Sequence, residues 1–514
     1  MTAVLDTPPP TVRVRPARPG RHAAADPGRW VPVAAHALAV VGVLAWSQLA
    51  FIGRSTRLDE AQSLWQTNHS YGRLLELIAQ DVHVPLYHLV LRTWRLVLGP
   101  DIGTARALSL VFLLASLPVF YVVARSVLSR GWASAALVVF ANSPFLLWYG
   151  NEARMYSMLL LVTLLSQWAF LAVLRTGRAA AWTGYAASAV VGAYVHYFFF
   201  FVLLAQGLFL LAVSRRLPRG SVLRLAGTAA AVAAAFLPWF LYFRAQGSAS
   251  ETRPQLPSPS SVDFSNVYSQ FVFGFQSDAL NTTLVSAWPL LVLGALLSVR
   301  NGSRLGRPTA YLLVAAFVPV LTAFVVSHLV TPFFLSRYMV PAAPALLLLV
   351  VVFATTLGPR TSRVLVGVLL AVTVAGTAVQ ATSPDNPVEE DYRTAATLAG
   401  EAGPRDVVVV SSPFTIYPFE YYYDGPARVT TLPEWDRVEA APPFDAATLP
   451  EEAEALVDGH QYVYLVLSYD QGYQDDVYQY FAGRYEQVAA HEPSDGLQVL
   501  VYRVGYAEPV PLGG

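Results

Sequence analysis

The chain has 514 residues, of which 55% are hydrophobic and only 13% charged, with a mean hydropathy of +0.45. Soluble domains carry about 25% charged residues, so an ordinary water-soluble globule is excluded and a membrane chain is expected. The absence of cysteine excludes a disulfide framework and a thiolate metal centre, and 34 basic residues against 34 acidic ones leave no basic excess for a nucleic-acid partner.

Neutrality hides a division. Residues 1–381 hold 28 arginines and 11 acids, whereas residues 382–514 hold 6 arginines and 23 acids, and there is no lysine anywhere. Two regions in different surroundings are expected. Residues 1–29, rich in Pro, Ala and Arg and without apolar periodicity, read as a disordered cytoplasmic tail. Residues 30–381 form the membrane module. Its apolar stretches recur at about 31–53, 104–127, 132–149, 155–174, 180–196, 197–213, 222–243, 284–299, 309–330, 338–357 and 364–381. Most reach or approach the roughly 20 residues that cross about 30 Å of hydrocarbon as helix. The first run is long for a signal peptide and no A-x-A site follows it, so it reads as an uncleaved span.

The stretch from Pro85 to Leu98 is decided by the arginines. If it does not cross and the amino terminus is inside, the inner loops hold Arg125/Arg130, Arg175/Arg178, Arg215/Arg216/Arg219, Arg300/Arg304/Arg307 and Arg360/Arg363. If it crosses, all later arginine-rich loops move outside, and Arg92 and Arg95 sit at a cost in the bilayer. It therefore reads as a helix on the outer membrane face. The fold class expected is an α-helical polytopic membrane protein with about eleven spans and a carboxyl-terminal extracytoplasmic domain, in the plasma (inner) membrane of a cell. Within the outer loop 244–283, Phe264, Val267, Tyr268, Phe271, Val272 and Phe275 make a helical stripe, read either as an interfacial helix or lid or as a helix packed on neighbouring spans. Residues 382–514 alternate strand-like runs (Val407–Val410, Tyr462–Leu467, Gln498–Val504) with helical patterns (Tyr392–Ala402, Val477–Val488), which predicts a small α/β domain. No repeat links the halves of the membrane module, and there is no Walker, Rossmann or zinc signature.

Acids in residues 1–381 avoid the spans. Asp59, Glu60, Glu76, Asp81 and Asp101 follow the first span, Glu152 stands beside Arg154, and His69, His83, His88, His196 and His328 fall at outer ends. Ionisable groups gathered on one membrane face point to a functional site there. Asp81 and His83 would bind an acceptor or share a divalent ion with a carboxylate, or else be a loop-bonded imidazole and a cap. Arg106 and Arg337 either grip phosphate oxygens or snorkel to headgroups. Glu152 and Arg154 either brace the site as a pair or contact substrate. His196 is as readily a belt residue as a site residue.

Arg57-Leu-Asp-Glu-Ala-Gln-Ser63, Asp81-Val-His-Val-Pro-Leu-Tyr87, Ala105-Arg-Ala-Leu-Ser109, Glu152-Ala-Arg-Met-Tyr156, Tyr194-Val-His-Tyr197 and Ser336-Arg-Tyr338 occur in this order at outer ends. As an ordered set over roughly residues 30–340 they resemble the GT-C glycosyltransferases of the protein-mannosyltransferase and aminoarabinose-transferase type, and bacterial mannosyltransferase-like membrane proteins in particular. The family's D-x-H-P-P-L-Y-Y run appears with Val84 for Pro and His88 for Tyr, and its Q-E-A-R-M-Y run with Asn151 for Gln. The resemblance implies a GT-C fold and transfer of a sugar, mannose or another hexose or pentose, from a polyprenyl-phosphate donor with inversion. The acceptor would be a glycan, a lipid or a protein.

The same resemblance implies that Asp59 is the base or positions the acceptor, the other reading of Asp59 being a helix cap. Glu60 would orient the site or help hold metal, or be a solvated neighbour. Asp81, His83, Arg106, Glu152, Arg154, His196, Arg337 and Tyr338 complete the expected site. The one cofactor left open is a divalent metal ion, which, if one is used, falls to Glu60, Asp81 and His83. The rival reading is a polytopic transporter or flippase of lipid-linked or cell-envelope substrates, which predicts ionisable residues or broken helices near the midplane.

Overall fold

The computed structural model describes residues 30–81, 83–246, 256–276, 306–382, 390–437 and 441–505. The tail 1–29, the apolar stretch 284–299 and Arg300 and Arg304 lie outside these residues. Among the described residues, eight helices are long and apolar enough to cross a membrane, and one pair of helices bent by 57° makes nine if the pair is counted as one span. The chain is a multi-pass membrane protein.

The first span is α1 (Trp30–Trp46), which runs on through a π turn at Ser47–Phe51. Three short helices follow, α2 (Leu58–Thr67), α3 (Tyr71–Gln80) and α4 (Leu86–Leu98). The 13 residues of α4 rise about 20 Å at 1.5 Å per residue, too little to cross about 30 Å of hydrocarbon. Both of its arginines bond to backbone carbonyls of α2. Arg92 Nη1 donates to the Thr67 carbonyl at 2.8 Å and Arg95 Nη1 to the Leu64 carbonyl at 2.8 Å.

The bundle continues with α5 (Ile102–Ala124), α6 (Arg130–Ala141), α7 (Pro144–Asn151), α8 (Tyr156–Thr176), α9 (Ala179–Val195), α10 (Phe199–Val213) and α11 (Ser221–Ala245). The single span expected at 132–149 is broken. α6 and α7 meet at 57° across Asn142 and Ser143. Ser143 caps α7, its Oγ accepting from Leu146 N, and Pro144 occupies the first turn, where its missing N–H costs nothing. The break is pinned from three sides: Trp46 Nε1 donates to Asn142 Oδ1 at 3.1 Å, Thr377 Oγ1 to the Asn142 carbonyl at 3.1 Å, and Ser143 Oγ to the Phe271 carbonyl at 3.1 Å.

The stripe at 264–275 forms α12 (Ser261–Phe273), started by a capping box of Ser260 and Asp263. Val267, Tyr268, Phe271 and Val272 are buried. α12 packs on α7, on α14 (Ala343–Ala354) and on α15 (Pro359–Thr382), so the packed-helix reading of this stripe is the one observed. Gly274 ends it at φ +75°, where an added Cβ would lie 2.5 Å from Gln380 Oε1 and 2.6 Å from Pro144 Cβ. Only glycine turns there. The last long span not yet named is α13 (Arg307–Leu329), and a 3₁₀ segment at Ser336–Ala342 leads into α14.

Beyond the bundle a five-stranded sheet has the order β2-β1-β3-β5-β4. β1 (Val407–Ser411) is parallel to β2 (Arg428–Thr431) and β3 (Tyr462–Ser468), whereas β5 (Leu497–Arg503) is antiparallel to β3 and to β4 (Glu486–Ser494). The helical pattern expected at 477–488 ends early, because α19 (Gln474–Arg484) stops and Glu486 opens the edge strand. α16 (Tyr392–Ala399) and α17 (Ile416–Tyr422) cover one face, and α18 (Leu449–Val457) and α19 the other. The all-valine run of β1 is buried on both sides, as a central parallel strand requires. α17 docks on α2: Ile416 and Tyr417 pack with Ala61 and Trp65. The Tyr422 hydroxyl accepts from Thr56 N at 2.8 Å and that of Tyr421 from Ile102 N at 3.0 Å.

Candidate active site

The site is built at the first turn of α2, where acidic side chains meet the positive end of the helix. Asp59 and Glu60 are neighbours in sequence and therefore point about 100° apart on the helix. Glu60 turns inward and is fully buried. It accepts from Arg106 Nε at 2.9 Å and Nη2 at 2.7 Å, from Ala153 N at 2.8 Å and from Arg57 N at 3.2 Å. Arg106, 5% exposed, spends its other donors on the carbonyls of Phe51, Ile52, Arg54 and Ser55 at 2.9–3.2 Å. With every N–H of Arg106 committed, the phosphate role expected for it is not supported. It folds the turn between α1 and α2 instead.

Asp59 turns outward and keeps 20% of its side chain exposed. Its Oδ2 meets Arg337 Nη1 at 3.0 Å. Burial alone would raise this carboxyl, but the guanidiniums of Arg337, Arg154 and Arg57 hold it below the usual carboxylate range. Arg337 lies over the Tyr338 ring, 5.6 Å from its centroid. Tyr338 packs against Phe198 and His196, at 4.6 and 5.2 Å between centroids. His196 Nδ1 accepts from Phe198 N at 3.1 Å, which fixes a neutral ring with its proton on Nε2.

The break at Ser143 aims α7 so that its end delivers Glu152 and Arg154 to this cluster. Arg154 is buried and donates to the Asp59 carbonyl at 3.2 Å, to Ser63 Oγ at 2.8 Å and to His83 Nε2 at 2.8 Å. Accepting from a cation, His83 carries its proton on Nδ1; burial, then the charge of Arg154, pushes its pKa well down. Asp81 Oδ2 accepts from Gln62 at 3.0 Å and Gln66 at 2.8 Å, and burial pushes its carboxyl up to about 6 against the pull of Arg154. Glu152 does not pair with Arg154 as expected. Its Oε1 takes a 3.3 Å bond from Arg57, and its Oε2 is buried without a hydrogen-bond partner. Burial, reinforced by Glu60 and Asp59, pushes Glu152 up to about 7.

Three contributors were not singled out from sequence. Arg57 keeps 31% of its side chain exposed and lies over Trp148 at 5.3 Å. Its place in the first quoted motif was the available signal. Glu390 lies within the electrostatic reach of Arg57 and Asp59, and Tyr469 within that of Asp59, Arg337 and Glu390. Both come from the carboxyl-terminal region, over 300 residues away in the chain, and no local pattern links them to Asp59.

The metal set Glu60, Asp81 and His83 is not assembled. Among the described residues no three His, Asp or Glu side chains come together to hold an ion. Both oxygens of Glu60 are occupied by N–H donors, while Asp81 and His83 approach each other only to 3.8 Å. No catalytic step is assigned to a metal.

Neither a protein-family model nor a curated protein sequence matches the chain. Solved structures do. ArnT from Cupriavidus metallidurans bound to undecaprenyl phosphate superposes with a TM-score of 0.58 at 15% identity, over 94% of this chain and 100% of that one. The Archaeoglobus fulgidus oligosaccharyltransferase in its apo form gives 0.54 at 12% identity, over 86% and 69%. The arabinofuranosyltransferase AftD from Mycobacteria gives 0.50 at 15% identity, over 93% of this chain and 40% of that one. At 12–15% identity the likeness is one of fold, and that fold is GT-C.

Proposed function

We propose that this GT-C chain is a membrane glycosyltransferase that takes a sugar from a polyprenyl-phosphate donor and passes it to an acceptor hydroxyl. The observation that carries the reading is the ion pair of Asp59 and Arg337 at 3.0 Å, partly exposed on both sides. A base for the acceptor and a cation for the departing phosphate stand side by side. Asp59 takes the proton of the acceptor hydroxyl, and the acceptor oxygen forms the new bond to the anomeric carbon. The bond from that carbon to the phosphate oxygen breaks, its electron pair leaves with the polyprenyl phosphate, and attack from the opposite face inverts the centre. Arg337 and Arg57, with 29% and 31% of their side chains exposed, are the guanidiniums free enough to meet phosphate oxygens. Arg154 and Ser63 fix the backbone at Asp59 from behind. Undecaprenyl phosphate in the ArnT structure supports a lipid of this class.

The outer face of the plasma membrane is the proposed location. Arg125, Arg130, Arg175, Arg178, Arg215, Arg216, Arg360 and Arg363 fall in or beside the loops remote from Asp59, which the positive-inside rule assigns to the cytoplasm. The amino terminus is then cytoplasmic and the carboxyl-terminal domain outside. Purified protein given polyprenyl-phosphate sugars should release polyprenyl phosphate and glycosylate an acceptor. Asp59→Asn should lower the turnover number roughly 10²–10⁴-fold, the usual contribution of a positioned base. Wild-type turnover by a correctly folded Asp59→Asn protein would refute the assignment.

A further inference from the structure

Arg57 and Glu152 are an ion pair of unequal access. Arg57 Nη1 donates to Glu152 Oε1 at 3.3 Å, and 31% of the arginine side chain is exposed against 4% of the glutamate's. The arginine is held from the protein side. Its backbone N–H donates to Glu60 Oε2 at 3.2 Å, and its guanidinium lies over the Trp148 ring, 5.3 Å from the centroid. The glutamate is fixed by the chain that follows it. Ala153 N donates to Glu60 Oε1 at 2.8 Å, and Arg154 to the Asp59 carbonyl at 3.2 Å and to Ser63 Oγ at 2.8 Å. Both oxygens of Glu60 are met by N–H donors, whereas Glu152 Oε2 is buried and has none.

An anion that reaches Arg57 from its open side leaves behind a buried carboxylate stripped of the cation bonded to it. An uncompensated buried charge is costly, and such a group takes up a proton instead. Oε2 is the atom for it, because a proton there displaces no N–H donor. We propose that Glu152 is a positioning residue that exchanges Arg57 for a proton when the donor phosphate binds. The pair of Arg57 and Glu152 breaks, a guanidinium–phosphate pair forms, and one proton from solvent bonds to Oε2. This rests on the reading of Arg57 as a phosphate-binding residue given above, and adds that donor binding consumes a proton. The neutral acid then offers no repulsion to the charge that gathers on the phosphate as its bond to the sugar breaks.

The charges facing Glu152 are Arg57, Asp59 and Glu60 at the start of α2, Arg154 after α7, and Arg337 of the 3₁₀ segment, with Arg106 of α5 beyond Glu60. The phenols of Tyr87, Tyr149 and Tyr156 complete its surroundings. Arginines keep their charge, phenols ordinarily ionise near 10, and Asp59 and Glu60 are held below the carboxylate range. Among these groups it is Glu152, at about 7, that titrates between pH 6 and 8. Asp81, at about 6 and facing Arg154, and Glu390, facing Arg57, are the carboxyls that the experiment has to set apart.

The full-length protein in detergent is titrated with farnesyl methyl phosphate, a diester whose single charge is the same at every pH used. For wild type the Kd should rise roughly tenfold from pH 6 to pH 8, since the proton has to be bound by a group that is half ionised at about 7. Calorimetric titration at pH 8 in Tris and in HEPES, whose heats of ionisation differ, should count about one proton taken up per diester bound. Glu152→Gln, neutral throughout, should bind at pH 8 as tightly as wild type at pH 6 and take up no proton. A Kd weakened at both pH values with the slope retained is what a merely structural role gives, and it overturns the proposal. So does a wild-type Kd independent of pH, or a slope that vanishes in Asp81→Asn or Glu390→Gln. Should Glu152→Gln fail to fold, the wild-type proton count decides, and a count of none overturns the proposal. No binding of the diester at either pH removes the phosphate reading of Arg57 and this proposal with it. Binding with proton uptake by a protein that consumes no polyprenyl-phosphate sugar upholds the proposal and refutes the transferase reading.

Discussion

Two buried glutamates carry opposite charge behaviour because of their neighbours alone. Glu60, with four N–H donors from Arg106, Ala153 and Arg57, is held below its ordinary value despite burial. Glu152, with one long bond and an orphaned oxygen, is pushed up to about 7. An acid whose folded value lies above its unfolded one binds its proton more tightly in the fold. Its contribution to stability is therefore intact below the ordinary glutamate value and lost as pH rises toward 7. Glu152→Gln, neutral at every pH, should melt near wild type at about pH 5 and several degrees above it at about pH 8. Thermal melts of the detergent-solubilised protein read this directly, and an equal shift at both pH values would remove the carboxylate as its cause. At this scale the sequence was informative where chemistry is scarce. Acids are rare in residues 1–381, so Asp59, Asp81, Glu152, His83 and Arg337 stood out and the structure gathers them. The residues alone could not show that Glu60 turns inward and Asp59 outward, since that depends on where Arg106 lies across the helix pair.

At the scale of elements, the pair of Arg106 and Glu60 joins α5 to α2 and shapes the turn at 51–55 between them. Removing one partner of a buried pair leaves an uncompensated charge and costs about 3–5 kcal/mol. Arg106→Leu should thus lose folding stability, whereas Arg337→Leu breaks a pair that is 29% and 20% exposed and should lose far less. Unfolding monitored in parallel for the two variants tests this. A stable Arg106→Leu protein with a raised KM for the lipid donor would return Arg106 to the phosphate. The long helices were readable from apolar length to within a few residues. The break at Asn142 and Ser143 was not, because hydropathy runs unbroken across it, although Ser143-Pro144 is a helix-start pair and was the local signal. The short α2 and α3 are too polar for a hydropathy window to mark, although each carries a local start signal, the acids at the first turn of α2 and the Ser70 cap of α3. β4 was missed because Glu486–Ser494 is an exposed edge without an apolar face.

For the whole molecule, the separation of 28 arginines and 11 acids from 6 arginines and 23 acids becomes a prediction about sidedness. An accessible tag placed within 215–220 should be shielded from impermeant reagents in intact cells, and one at the carboxyl end labelled; the reverse pattern would put Asp59 on the cytoplasmic face. Charge segregation and the strand runs at 407–410, 462–467 and 498–504 announced the second domain from sequence. How it sits did not follow, because the contact rests on a few side chains of α17, Ile416, Tyr417, Tyr421 and Tyr422, that no local pattern sets apart. That contact has a mechanical consequence. Swinging the domain away would exchange the hydroxyl acceptors of Thr56 N and Ile102 N for water, at about 0.5–1.5 kcal/mol each, and would bare Ala61 and Trp65 to water. The second domain is thus tied at once to the start of α2, which carries Asp59, and to the start of α5, so any swing of that domain pulls on both helix starts together.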